Sequence, residues 1–271
     1  MKVICIEGID AVGKETVSKA LGDRLVEMGY RVHRASFPIY EEATGQCIRE
    51  ALNGNFGDPV ELDPELFGPL YTLNRIKYFR NQFYSPKHGR DVDYLILDRS
   101  FYSNFMYQCS KYYSDIDDLE GSLDVVSLKK MYDWLMQNYV WEIHQTALCY
   151  ARDIHTFVLE LSEEDSLKQL GNRVLKDQHE TNRKYLNNCK AFVACMTDCN
   201  NIRKIQDIFH DFFMDDLRPE FPEMMRHYFY NVHRTIAVHA DNAEDIPKAT
   251  SATVDKILRK LGIVSREEVL M

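Results

Sequence analysis

Short apolar runs alternate along the chain with longer stretches in which apolar residues recur at helical spacing. The first run, Val3 to Ile6, is followed by a glycine loop. A continuous apolar run of this length is typical of a strand buried on both faces of a parallel sheet. Beyond the loop, a helix is predicted whose apolar face carries Val17, Ala20, Leu21, Leu25 and Met28.

This alternation continues to the end of the chain. Further strands are predicted over 31–37, 93–97, 154–161 and 235–240. Helices are predicted over 42–52, from Asp63-Pro64 to about 78, and over 100–108, 127–141, 190–230 and 246–261. Strands that alternate with helices predict a three-layer α/β sandwich, in which a five-stranded parallel sheet is flanked by helices. No linker or internal repeat divides the chain, so a single domain over 1–271 is expected.

Composition excludes several classes of function. The net charge of −9 disfavours a general nucleic-acid-binding role. No segment approaches the roughly 18 apolar residues that a membrane span needs, and no signal peptide is evident at the start. Seven cysteines without a paired framework indicate reduced thiols, so a cytoplasmic location is expected.

The first strand, loop and helix together predict a phosphate-binding site. Gly8, Gly13 and Lys14 fit the pattern G-x-x-x-x-G-K-[ST], in which backbone N–H groups and the lysine bind nucleotide phosphates. The residue after the lysine is Glu15, and Thr16 follows it. Because a hydroxyl normally binds Mg²⁺ at this point, the Glu15 carboxylate either replaces it as a metal ligand or repels the nucleotide.

Two further stretches place candidate ligand-binding side chains at the same edge of the sheet. Asp98 and Arg99 end the strand predicted over 93–97, and the carboxyl ends of parallel strands share one ligand crevice. An Asp at this point is the usual metal-organising carboxylate, and an Arg beside it is suited to a phosphate. The following helix would present Ser103, Asn104, Tyr107 and Gln108, a mixture that suits a nucleobase or is the start of an ordinary amphipathic helix.

A basic cluster lies between residues 173 and 184. Its cations are Arg173, Lys176, Arg183 and Lys184, interleaved with acidic residues. Two interpretations remain open: a mobile lid that closes over a transferring phosphate, or a solvated helix surface stabilised by ion pairs.

Several motifs in combination resemble the thymidylate kinases, within the P-loop nucleoside monophosphate kinases. The resemblance covers residues 2 to about 260. Its motifs are the glycine loop Gly8 to Thr16, Phe37-Pro38-Ile39-Tyr40, Asn74-Arg75, the run Asp98 to Gln108, and a lid-like Arg173, Asp177 and Glu180. The resemblance implies a single P-loop kinase domain with a lid at about 166–186, and a homodimer. The helical stretch at about 190–230 is longer than the family pattern and is interpreted as an insertion.

The resemblance also implies the reaction and the site. ATP and Mg²⁺ would phosphorylate dTMP to dTDP, a step of dTTP biosynthesis. Catalysis would use Lys14, Asp98, Arg99 and Arg173, with the metal at Asp98 and Glu15. ATP would contact Gly8, Asp10, Ala11, Val12, Gly13, Lys14, Glu15, Thr16, Arg173, Lys176 and Arg183. The monophosphate would contact Asp10, Phe37, Tyr40, Tyr71, Arg75, Arg99, Ser103, Asn104, Tyr107 and Gln108, with Tyr71 stacked on the base and Arg75 and Asn104 at its edge.

Departures from the family pattern keep two alternatives open. Glu15 replaces the hydroxyl residue, Ile39 stands where many members have an arginine, and Ser100 replaces an aromatic residue. One alternative is a kinase for another deoxynucleoside or deoxynucleoside monophosphate. The other is a nucleotide-binding protein whose catalysis has degraded.

Overall fold

The structure of the protein is a computed structural model. It describes residues 1–10, 12–83, 91–112, 153–161, 231–238, 240, 242 and 244–263, together with 130, 133–135, 137, 138, 141, 142, 185, 188 and 189. The strands of this part of the chain are β1 (Lys2–Glu7), β2 (Val32–Ser36), β3 (Tyr94–Asp98), β4 (Asp153–Glu160) and β5 (Val232–Ile236). Its main helices are α1 (Lys14–Glu27), α2 (Ala43–Leu52), α3 (Pro64–Tyr78), α4 (Phe101–Cys109) and, near the end, α5 (Ile246–Lys260).

The five strands form one sheet, in the order β2-β3-β1-β4-β5. Every neighbouring pair is parallel, so all carboxyl ends lie at the same edge. The predicted five-stranded parallel sheet flanked by helices is therefore confirmed. The strand order reverses direction at β1, and a crevice outside the carboxyl ends at such a point is the usual ligand site of this architecture.

The hydrophobic core explains why β1 is central. Ile4 and Ile6 are completely buried and pack with Leu21 and Leu25 of α1 and with Ile257 of α5. Because β1 has a strand on each side and this helical layer over one face, the start of the glycine loop is fixed by the most buried part of the fold.

Two helices begin directly after residues whose side chains cap them. The Asp63 side chain accepts a hydrogen bond from the backbone N–H of Glu65, and Pro64 occupies the first helical position of α3. Ser100 accepts from the backbone N–H of Tyr102 and caps α4 in the same way. Both predicted helix starts are confirmed.

The predicted fifth strand is wrong in its bounds. The apolar run suggests 235–240, whereas β5 spans Val232–Ile236. The partner strand decides the register, because Thr156 pairs with Val232 and Glu160 pairs with Ile236, where β4 ends. Ala237 adds one hydrogen bond to the Glu160 carbonyl oxygen at 3.0 Å before the chain leaves the sheet.

Several predictions fall on other parts of the chain. The insertion at 190–230 and the turn at 86–90 lie outside the described residues, as do most of the helix at 127–141 and most of the lid at 166–186. Within the described ranges, no helix has the length and apolar character needed to cross a membrane.

Candidate active site

The glycine loop has the backbone geometry that a phosphate cradle requires. Gly8 has φ 134° and Gly13 has φ 86°, a region that side-chain-bearing residues rarely adopt. A Cβ atom on Gly8 would lie 2.5 Å from the carbonyl oxygen of Leu159 on β4, so a side chain has no room there. Gly13 directly precedes α1, and the helix N-terminus therefore opens onto the loop.

Lys14 is a buried cation at the start of α1. Its Nζ donates to the carbonyl oxygen of Ile9 at 2.7 Å and lies 3.7 Å from Oδ1 of Asp10. Burial, with the neighbouring charge of Arg99, lowers the pKa of Lys14 to about 8, although Asp10 and Asp98 act in the opposite direction. The ammonium group is thus poorly solvated, and a bound phosphate would stabilise its charge.

Asp10 links the glycine loop to β3 and α4. Its carboxylate forms an ion pair with Arg99 and accepts a hydrogen bond from the Tyr107 hydroxyl at 3.1 Å. Arg99 has φ 62°, a left-handed conformation that is unusual for a residue other than glycine. The backbone at Arg99 is therefore strained, as is common at functional sites.

Two concave regions meet at this cluster. The outer cleft runs from the glycine loop to α5, and its predicted site residues are Val12, Gly13, Lys14, Glu15, Thr16, Phe37, Tyr40, Asp98 and Arg99. The inner pocket lies between α3 and α4, and its predicted site residues are Asp10, Phe37, Tyr40, Tyr71, Arg75, Arg99, Ser103, Asn104, Tyr107 and Gln108. Phe37, Tyr40 and Arg99 line both regions, and Arg99 is the cation among them. The structure thus brings the predicted residues for two ligands together at one junction.

The inner pocket contains buried hydrogen-bond acceptors. The side-chain amide nitrogen of Asn104 donates to the Gly68 carbonyl oxygen at 3.0 Å. The Oδ1 atom of the same side chain is not used in this hydrogen bond. Oδ1 of Asn104 and Oε1 of Gln108 are buried and have no hydrogen-bond partner among the described residues. Since unpaired buried acceptors are costly, these two atoms are suited to N–H groups of a ligand.

Arg75, which is predicted at the edge of a base, already has a charged partner in the structure. Its Nε and Nη2 donate to the two carboxylate oxygens of Glu142 at 2.7 and 2.8 Å, and both side chains are buried. Arg75 lines the inner pocket, but a carboxylate already holds its guanidinium in a bidentate pair. The sequence gives no sign of this partner, which lies 67 residues away.

Replacing Glu142 with alanine should destabilise the fold by about 3–5 kcal/mol, because it leaves the Arg75 charge buried without a partner. The free energy of unfolding in urea provides the measurement. The matched control replaces both Arg75 and Glu142 with leucine, and this pair should cost less than the single change. A single variant as stable as the wild type would contradict this account of the pair.

Three residues of the site are absent from the predictions. Lys111 follows α4, lines the inner pocket and donates to the carbonyl oxygens of Pro59 and Leu62 at 2.9 and 3.0 Å. Burial lowers its pKa to about 8. Ser100 also lines the pocket, and Glu7 lies completely buried behind it. Lys111 could have been found from its position one turn beyond Gln108, whereas Glu7 reads as the end of a strand.

Some predicted site residues are not placed. Ala11, Arg173, Lys176 and Arg183 lie outside the described residues. Their assignment to ATP therefore stays a prediction. Tyr185, at the end of the predicted lid, is described and donates to the backbone oxygen of Tyr107 at 2.6 Å.

Comparison with known proteins shows which family the chain is similar to. The sequence model of the thymidylate kinase family matches residues 6–119, which contain the glycine loop and α4. A probable thymidylate kinase of Thermoplasma acidophilum is 26% identical over 183 residues, which cover 68% of this chain and 77% of that protein. The chain is thus similar to the thymidylate kinases, and this similarity supports a nucleoside monophosphate kinase enzyme. The resemblance drawn from the sequence motifs is thus confirmed.

Two further comparisons agree with this similarity. A probable thymidylate kinase of Thermococcus onnurineus is 26% identical over 221 residues, which cover 77% of this chain and 93% of that protein. The solved structure of thymidylate kinase from Candida albicans has a TM-score of 0.54 at 15% identity. It covers 96% of this chain and 92% of its own, and at this identity it supports the fold alone.

Proposed function

We propose that this kinase transfers the γ-phosphoryl group of ATP to dTMP and produces ADP and dTDP. The observation that carries the proposal is the position of Arg99, which lines both the outer cleft and the inner pocket. A phosphoryl transfer needs a cation between two phosphate groups at the point where their sites join. The names of the related proteins supply thymidylate as the expected acceptor.

The outer cleft is the proposed site of ATP. The backbone N–H groups of the glycine loop, the N-terminus of α1 and the Lys14 ammonium would bind its phosphates. Arg173, Lys176 and Arg183 are proposed to approach the same phosphates from the lid. Ala237, Val238 and Ala249 line the other end of the cleft, where small apolar side chains leave space for a base.

The inner pocket is the proposed site of dTMP. Its phosphate would take the place of Asp10 as the partner of Arg99, and Asp10 and Tyr107 would then contact the sugar. Phe37, Tyr40 and Tyr71 line the pocket with aromatic surface that suits a planar base. Asn104 Oδ1 would accept the N–H group at the base edge.

The donor set at the cleft fits Mg²⁺. This ion is usually held by one or two carboxylates together with phosphate oxygens and water. Asp98 is buried and accepts from the Ser36 hydroxyl at 3.0 Å, whereas Glu15 is exposed, and both line the outer cleft. Asp98 and Glu15 would hold the ion, which when bound neutralises charge on the phosphates. Within the described residues, no group of three or more acidic, cysteine or histidine side chains is arranged to hold a metal ion.

The main role of the protein in the transfer is to position the two phosphate groups. An oxygen of the acceptor phosphate attacks the γ-phosphorus in line, and the bond from that phosphorus to the β–γ bridging oxygen breaks as ADP leaves. Lys14 and Arg99 neutralise charge on the two sides, and Arg173 is proposed to do so from the lid. No covalent intermediate on the protein is required.

We further propose that the enzyme acts in the cytoplasm as a homodimer.

An acceptor panel tests dTMP directly against the alternative acceptors, which are another deoxynucleoside monophosphate or a deoxynucleoside. ADP release is followed with ATP and Mg²⁺ while dTMP, dUMP, dCMP, dGMP, dAMP and thymidine are offered in turn. Turnover with dTMP well above the others supports the proposal, whereas preference for another acceptor overturns the assignment of the inner pocket to thymidylate.

The affinity for ATP should fall as the pH rises above 8. The pKa of Lys14 is lowered to about 8 in the free protein, so the ammonium loses its proton above that pH. Phosphates bind the charged form, and the loss approaches tenfold per pH unit because one proton must be taken up on binding. Calorimetry at several pH values, in two buffers with different ionisation enthalpies, measures the affinity for ATP and the number of protons taken up on binding.

The matched variant for this effect is Lys14→Arg, because a guanidinium keeps its charge throughout the range. It should bind ATP with little dependence on pH between 7 and 10. Equal ATP affinity of the wild type at pH 7 and pH 9.5 would contradict the link to Lys14.

A further inference from the structure

Glu7 is a buried acidic residue that the proposed reaction leaves unused. It ends β1, directly before Gly8, and none of its side chain is exposed. Burial raises its pKa, although hydrogen bonds from Ser100 and Ser103 act against this. A buried carboxylate is costly to keep unless it holds specific partners.

The partners of Glu7 lie at the start of α4. Oε1 accepts from both the backbone N–H and the hydroxyl of Ser100, each at 2.6 Å. Oε2 accepts from the hydroxyl of Ser103, which itself lines the inner pocket. Ser100 also caps α4 by accepting from the backbone N–H of Tyr102. One carboxylate thus fixes the first turn of the helix that forms a wall of the pocket.

These hydrogen bonds also flank the strained residue of the site. The N–H of Arg99 donates to the carbonyl oxygen of Ile6 at 3.1 Å, and the next N–H, that of Ser100, donates to Glu7. Both donors flank the left-handed backbone of Arg99, and both acceptors belong to β1. A left-handed conformation of a non-glycine residue persists only where its surroundings fix it.

We propose that Glu7 is a positioning residue, which fixes the backbone of Arg99 and the first turn of α4 through Ser100 and Ser103. It thereby sets where the acceptor phosphate is bound. The inference rests on the proposed function of Arg99. Ser100 is central to it, because its hydroxyl supplies one of the hydrogen bonds that an aromatic residue at this position would lack.

Steady-state kinetics test this role with two variants and a control. Glu7→Ala should lower kcat/KM for dTMP by about 100-fold, as expected for a misplaced binding group, while KM for ATP stays unchanged. Glu7→Gln keeps an acceptor for Ser100 and should recover to within about tenfold of the wild type. Leu25→Ala, a core change on α1 away from the inner pocket, should lose stability without this selective loss.

A second measurement needs no turnover. In NMR spectra of the unliganded protein, the Ser100 amide and the Arg99 Nε–H resonances should both move in Glu7→Gln, and should stay in place in Leu25→Ala. A shifted Ser100 amide with an unchanged Arg99 resonance would overturn the inference, as would equal kinetic losses for ATP and dTMP. Absence of activity in the wild type would count against the proposed function, and the NMR comparison would still decide the role of Glu7.

Discussion

Replacing Lys14 with methionine should lower kcat by about 10²–10³-fold, the usual cost of losing one preorganised charged group from a transition state. The same variant should be at least as stable as the wild type. Burial lowers the pKa of Lys14 to about 8, which means that the folded protein disfavours the charge. A methionine of similar length removes that penalty. The measurements are turnover with ATP and dTMP, and unfolding in urea.

The control for Lys14 is Lys260→Met, because Lys260 is an exposed lysine in the last turn of α5. It should leave both activity and stability unchanged. If Lys14→Met kept most of its activity, the assignment of the glycine loop to the donor phosphates would be wrong. If it lost activity together with several kcal/mol of stability, Lys14 would be a structural residue instead.

Replacing Arg99 with alanine should lower kcat/KM for dTMP by a comparable factor, about 10²–10³-fold. Arg99 lies between the two concave regions, and its guanidinium is the proposed partner of the acceptor phosphate. Since Lys14 still binds the donor, KM for ATP should change much less. Initial-rate kinetics with each substrate varied separately measure the two effects.

A second variant separates the side chain of Arg99 from its backbone. Arg99→Gly should be as inactive as Arg99→Ala but more stable, because glycine adopts φ 62° without the cost of about 1–2 kcal/mol that other residues incur. Arg31→Ala is the control, since Arg31 pairs with Asp93 at the opposite edge of the sheet. Normal turnover of dTMP by Arg99→Ala would show that Arg99 does not bind the acceptor phosphate.

Local sequence signals predict the framework of this site well. Each signal acts on residues within a few positions of itself. The signals are the apolar run Val3 to Ile6, the glycines of the loop, and the capping residues Asp63 and Ser100. The helix caps and the apolar periodicity do not depend on distant partners. The strand ends therefore carry the glycine loop and Arg99 to one edge, as predicted.

Long-range pairing explains what the sequence does not reveal. Glu142 holds Arg75 from 67 residues away, and Glu7 reaches Ser100 across 93 residues. The bounds of β5 depend on where β4 ends. Each of these features is decided by a partner that comes near only after folding, so periodicity and motif spacing cannot show it.

Following both products of the wild-type enzyme by ³¹P NMR tests the proposed transfer most directly. With ATP, Mg²⁺ and dTMP, we expect ADP and dTDP to appear in equal amounts, and neither to accumulate when dTMP is omitted. ATP that binds without forming dTDP or any other phosphorylated acceptor would show that the proposed reaction is wrong. The protein would then be a nucleotide-binding relative whose catalysis has degraded, and Glu15→Ser would be the variant to examine next.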